Sequence, residues 1–196
     1  MTLYIFIHLF SKRAGGRIAQ LTFEHGISKY SALGLAMIGK LFCVVKDYDR
    51  GYLFGELSLA VVHKFKAKDL LPKVTAYVYG DILYYKKPYR CLFQTPLDAI
   101  FKSLEVGCNE SSRFNFSVFL FYSFCSGKPL NELVEDFDRM STKVHDIGLS
   151  AKVLHQSFLN ITGHADGNPG LLIGTMFDYR IHLDFDNDLF KKYFYS

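Results

Sequence analysis

The chain has 196 residues, 49% of them hydrophobic, with 23 Lys/Arg against 19 Asp/Glu for a formal charge of +4. That is ample apolar content for one core, which excludes a disordered chain, and the modest charge, scattered in short groups such as Lys86-Lys87 and Lys191-Lys192, leads us to expect no nucleic-acid partner. The most apolar later run, Phe114 to Cys125, is interrupted by Asn115, Ser117 and Ser123 and is far short of the ~20 residues that span a bilayer, so no membrane partner is expected either.

Met1 to Phe10 is apolar, but Lys12 and Arg13 follow that run instead of preceding it. A secretory signal has the opposite order, so the chain is expected to be cytoplasmic. Its four cysteines, Cys43, Cys91, Cys108 and Cys125, form no CxxC pair and read as buried, reduced thiols. Gly15-Gly16 reads as a flexible turn, and residues 1–27 as a terminal helical or linker segment.

From Ser31 to Val144 the pattern is three successive pairs of helix-length apolar stretches. One pair recurs about every 40 residues, a period in the range of helical solenoids. The first helix covers Tyr30 to Val45, and its interior Gly34 and Gly39 each cost about 1 kcal/mol relative to alanine, which implies a close neighbour that needs the space. Asp47 and Asp49 supply a turn and an N-cap for the second helix, with Leu53, Leu57, Ala60, Val61 and Phe65 expected on its buried face. Gly51 and Gly55, one turn apart, imply close packing on the preceding helix.

The second pair opens with Asp69 as N-cap and Leu71, Val74, Val78, Ile82 and Tyr85 as its stripe, stopped by Lys86-Lys87-Pro88. Its second helix starts at Thr95-Pro96, or as a proline-kinked helix near Arg90, carries Leu97, Ile100, Phe101, Leu104 and Cys108, and ends at Gly107. Ser111 or Ser112 caps the third pair, whose first helix (Phe114, Val118, Phe121, Tyr122, Cys125) is apolar nearly all round and should be buried on two sides. Beyond Gly127 and Pro129, the residues Leu130, Leu133, Val134, Phe137, Met140 and Val144 make the clearest amphipathic stripe, with Glu132, Glu135 and Asp136 near the positive helix end. A seventh helix runs from Leu149 to Ile161 on Leu149, Val153, Leu154, Phe158 and Ile161. We assign residues 28–162 to a repeat domain and 163–196 to a loop and the start of a further, truncated unit.

Chemical motifs are weak. Gly127-Lys128 ends like a phosphate-binding loop, but Tyr122 and Pro129 occupy the positions of the first glycine and the magnesium-binding hydroxyl. Asp184, Asp186 and Asp188 alternate like calcium ligands, with Leu189 where glycine is required and Tyr195 where the last carboxylate belongs. The seven histidines (His8, His25, His63, His145, His155, His164, His182) never pair at the spacing that puts two imidazoles on one helix face. No serine stands in a nucleophile elbow, and the triplets at Asn109, Asn115 and Asn160 read as chance matches to a glycosylation site. Among 19 phenylalanines and 13 tyrosines, Phe54, Phe65, Phe101, Phe119 and Phe121 are expected in the core. No catalytic, cofactor-binding or metal-binding residue is assigned.

The segments Ser28 to Gly34, Leu41 to Val45, Asp47 to Ala60, Phe65 to Val74 and Phe124 to Leu133, with Gly167-Asn168-Pro169 and Leu172-Ile173-Gly174, occur in an order that resembles the tetratricopeptide-like helical region of very large signalling proteins. In that family a serine/threonine-kinase-like domain, an AAA-type ATPase module, this helical region, a GAF domain and often a histidine kinase share one chain. The likeness runs from Phe23 to Leu183; it departs at Tyr84 to Lys87 and Glu105 to Ser112, and none of the kinase, ATPase, GAF or phospho-acceptor motifs is present in the chain.

The expected fold is therefore all-α, a right-handed tetratricopeptide-like α-solenoid of antiparallel helix pairs. The expected function is a non-catalytic scaffold that positions signalling domains or captures a protein partner through polar residues on exposed helix faces. Two alternatives stand beside it: a fragment of a kinase or ATPase whose catalytic domains lie outside the chain, and a nucleic-acid or lipid module using Lys86, Lys87 and Arg90 with nearby tyrosines. Because Leu3 to Phe10 and Phe190 to Phe194 are apolar where solenoids carry polar caps, self-association or poor solubility is also expected.

Overall fold

The computed structural model describes residues 15–165 and 168–180. The apolar run to Phe10, His8, His182, the Asp184/Asp186/Asp188 alternation and Phe190 to Phe194 lie outside the described residues, so the expectations resting on them do too.

Every regular element among the described residues is helical; β structure is limited to one isolated bridge, Ile173 to Asp178. Residues 15–25 belong to a first helix, α1, so Gly15-Gly16 is helical and not a turn. Then follow α2 (Ser31–Val44), α3 (Tyr48–Lys64), α4 (Leu71–Asp81), short 3-10 turns at Leu83–Tyr85 and Tyr89–Cys91, α5 (Gln94–Glu105), α6 (Asn109–Cys125), α7 (Leu130–Ser141) and α8 (Leu149–Thr162).

Backbone bonds explain where the helices stop. At Gly107, Gly127 and Gly163 the chain takes a left-handed φ, and paired reverse bonds close the helix end, as in Gly107 N–H to the Leu104 carbonyl (3.1 Å) and Cys108 N–H to Ser103 (2.8 Å). Lys46 and Lys66 make the same closure after α2 and α3 with φ of 66° and 50°, where glycine would be unstrained.

Starts follow the sequence less closely. Asp47 caps α3, accepting from the Arg50 N–H at 3.1 Å as expected. Asp69 does not cap α4. Leu70 holds that position, and Asp69 instead accepts from Lys29 Nζ at 2.8 Å. The second helix of that pair begins at Gln94, which puts Pro96 at its third position, where a missing N–H costs nothing because the first turn has no acceptor for it. Ser111 and Ser112 are buried inside the first turn of α6 and do not cap it.

Two apolar clusters form the interior. The first joins α2, α3 and α4 through Ala36, Val62, Val74, Val78 and Ile82; the second joins α5 to α8 through Ile100, Phe116, Leu120, Phe137 and Met140. Helix α6 belongs to both, giving Val118 and Tyr122 to the first and Phe116, Phe119 and Leu120 to the second, so it is packed on more than one side as its composition implied. Consecutive helices from α2 to α8 pack on each other, and in addition α2 packs on α4, α4 on α6, and α6 on α8.

The α2–α3 contact is the closest. A Cβ on Gly39 would stand 2.9 Å from the Gly51 carbonyl oxygen, and one on Gly51 would strike Cys43 Sγ. Ser58 Oγ donates to the Ala32 carbonyl at 2.6 Å across the same seam. Glycine and serine, not leucine, therefore make the buried face of α3: Leu53 is 63% exposed, and Leu57, Ala60 and Phe65 also face out, with only Val61 of the expected stripe buried.

After α8 the chain folds back on it. Asn160 Nδ2 donates to the carbonyls of Pro169 (3.0 Å) and Leu171 (2.6 Å), and Gln156 Nε2 donates to Asn160 Oδ1 at 2.9 Å. Gly174 lies so near the Gln156 amide that any Cβ there would collide with it.

Candidate functional site

The break between the 3-10 turns after α4 falls at Pro88, which has no N–H to continue a helix and disfavours helical backbone at Lys87. The turns swing Tyr84 and Tyr89 over α6, opening a groove of about 740 Å3 along α4, α6 and α8. Its walls are Tyr84, Tyr89, Phe114, Phe121, Leu149 and Val153. Gly80 makes the crossing possible: a Cβ there would enter the Phe114 ring and come within 3.3 Å of Val118.

Tyr122 lies at the base, 2% exposed, and its hydroxyl donates to the Tyr79 carbonyl, tying α6 to α4. The Tyr89 ring meets Tyr122 at 5.4 Å and Phe121 edge-on at 6.0 Å. Burial pushes the Tyr84 and Tyr122 hydroxyls above the ordinary phenol range, so both stay protonated and neither is a base. A second hollow of about 350 Å3 continues the groove, sharing Phe114, Ser117 and Ser150 with it and adding Lys73, Glu110 and Arg113. Arg113 is paired with Asp146 across to the α7–α8 turn. The arrangement is a long, mostly apolar trough with aromatic faces and a polar end at Lys73, Glu110 and Arg113.

The residues singled out in the sequence are differently placed. Lys86 pairs with Asp49, and Lys87 with Glu56 at 3.2 Å while lying 5.2 Å over the Tyr52 ring. The two lysines are neutralised by their neighbours, and Arg90 forms no ion pair among the described residues. Lys128 pairs with Asp136 and Glu132, and Gly127 closes the end of α6, so neither forms a phosphate cradle. Only Cys43 of the four cysteines is buried; Cys91 and Cys125 are exposed, which corrects the expectation of uniform burial, and all four are free thiols. Of the aromatic residues expected in the core, Phe119 is buried in the second cluster and Phe54 is partly buried against the first, whereas Phe65, Phe101 and Phe121 are 41%, 40% and 43% exposed. Asn115 and Asn160 are buried and hydrogen-bonded.

His155 is 4% exposed and lies flat on Phe137, 3.8 Å between ring centroids. Among the described residues neither ring nitrogen has a hydrogen-bond partner, and Asp138 stands 3.6 Å from Nε2. Burial pulls its pKa below the ordinary 6.5, with Asp138 opposing. No group of three or more His, Cys, Asp or Glu side chains suited to a metal occurs among the described residues. Nor is any described helix long and apolar enough to cross a membrane.

The groove itself was not read from the sequence. Its signal in the sequence is Tyr84 and Tyr89 on either side of Pro88, with Gly80 one turn before Tyr84. In comparisons with family models, curated proteins and solved structures, no match to this chain is found.

Proposed function

We propose that the chain is a non-catalytic helical-repeat scaffold whose α4–α6–α8 groove takes an extended, apolar segment of a protein partner. The observation that carries the reading is the unbroken row in which α2, α4, α6 and α8 each pack on the next, with the groove lying along that row. Antiparallel pairs stacked as a solenoid present such a row as one continuous surface. Rigid aromatic walls suit the task, because Tyr and Phe bury large area at small entropic cost. On the resemblance to the tetratricopeptide-like region of signalling proteins, the segment bound belongs to a signalling protein or to another domain of a longer chain.

Peptides selected by display on the intact chain provide the test. The expected winners are apolar and aromatic, and they lose about tenfold or more in affinity on Phe121→Ala or Phe114→Ala, both 43% exposed, with circular dichroism checking that each variant stays folded. Selected peptides that bind equally to both variants would reject the groove. Micromolar binding of ATP with magnesium in a calorimetric titration would reject the non-catalytic scaffold.

A further inference from the structure

The ends of α3 and α5 enclose a second pocket, of about 490 Å3, that shares no residue with the groove. Val62 and Ala67, 2% and 4% exposed, are its floor, and Leu71 and Val106 its apolar walls. Lys66, Lys68, Lys102 and His63 stand around it against a single carboxylate, Glu105.

Elsewhere Lys29, Lys40, Lys86, Lys87 and Lys128 each hold a carboxylate. Among the described residues, Lys66, Lys68 and Lys102 form no ion pair, and neither do Lys46, Lys64, Lys73, Lys143 and Lys152; what sets the three apart is that they ring one apolar hollow. Two helices end here, α3 at Lys64 and α5 at Glu105, and cations are favoured near their negative ends. That accounts for the charge but not for the apolar hollow between Leu71 and the exposed Val106. A nucleic-acid backbone would answer the lysines and leave those walls wet. A short peptide brings anionic and apolar side chains together.

We propose that this pocket binds an acidic segment of a protein partner, which inserts one apolar side chain between Lys66, Lys68 and Lys102. Charge sets the approach and the apolar anchor sets the residence, the division of labour usual at such interfaces.

Fluorescence anisotropy on the whole chain decides it, using a labelled synthetic peptide with one leucine flanked by glutamates. Saturable binding is expected, weakened about tenfold or more by the Lys66→Glu/Lys102→Glu pair, by replacing the peptide's leucine with serine, and by exchanging its glutamates for glutamine. Val106→Ser should weaken it and Phe121→Ala should not. Should the charge reversal disturb the circular dichroism spectrum, the milder Lys66→Gln/Lys102→Gln pair serves instead. The proposal is overturned by an absence of saturation at about 1 mM peptide, the weak limit of specific binding. It is equally overturned by affinity indifferent to the lysine changes, or by a duplex DNA that binds more tightly while the leucine-to-serine peptide loses nothing.

Discussion

His155 carries the sharpest single-residue consequence. Its ring is buried against Phe137 with both nitrogens unbonded, so the charged form is penalised in the fold and not in the unfolded chain. The folded pKa lies below 6.5, so between the two values the unfolded state binds more protons. Stability from this group is complete above the unfolded value and falls as the pH drops through 6.5 toward the folded one. His155→Leu removes the titrating group and both orphan nitrogens together. Replacing an unsatisfied polar group by an apolar one of similar size is near neutral, so at pH 8 the variant should hold within about 1 kcal/mol of wild type. At pH 5 its urea midpoint should exceed that of wild type, whereas an equal acid loss in both proteins would assign the effect elsewhere.

At the scale of elements, α7 and α3 mark the limits of what the sequence discloses. In α7 the expected Leu133, Phe137 and Met140 are buried, as is Val144 beyond its end, because a single helix face meets α6 and α8 and large apolar groups are the way to cover it. In α3 the same reasoning selects the wrong face. Backbone approach to α2 is close enough that Gly51, Gly55 and Ser58 win the interior, and Leu53 and Leu57 are left outside. The glycines were legible as a sign of close packing; that they would outrank the leucines was not, since it depends on the distance between two helix axes. Caps failed for a related reason: Asp69 is a good N-cap by type, but Lys29 lies 40 positions away in sequence and claims it. The seam yields a test. Gly39→Ala gains about 1 kcal/mol of helix propensity, yet its Cβ would sit 2.9 Å from the Gly51 carbonyl oxygen and 2.8 Å from Ile82 Cδ1. A backbone oxygen cannot step aside, so overpacking should prevail and the net loss should be about 1–3 kcal/mol by urea unfolding. Gly16→Ala, with nothing within 4 Å, should show no such loss. Equal effects at the two positions would remove close approach as the explanation.

Across the whole molecule the question is whether two clusters joined by α6 unfold as one body or as neighbours. In a stacked array each unit is held by the next, and damage at one end spreads only as far as its interfaces carry it. Phe137 is fully buried and belongs to the second cluster, so Phe137→Ala should cost about 3–5 kcal/mol in lost burial and cavity. Hydrogen exchange then separates the alternatives. Amides of α7 and α8 should lose most of their protection and those of α6 part of it, because α6 keeps Val118, Tyr122 and the Tyr122 hydroxyl bond to α4. Amides of α2 and α3 should keep wild-type rates, held by Val62, Ser58 and the Gly39–Gly51 seam. A uniform fall in protection from α2 to α8 would mean a single cooperative core, and with it the stacked-repeat reading, together with the groove's role as its continuous surface, would have to be given up.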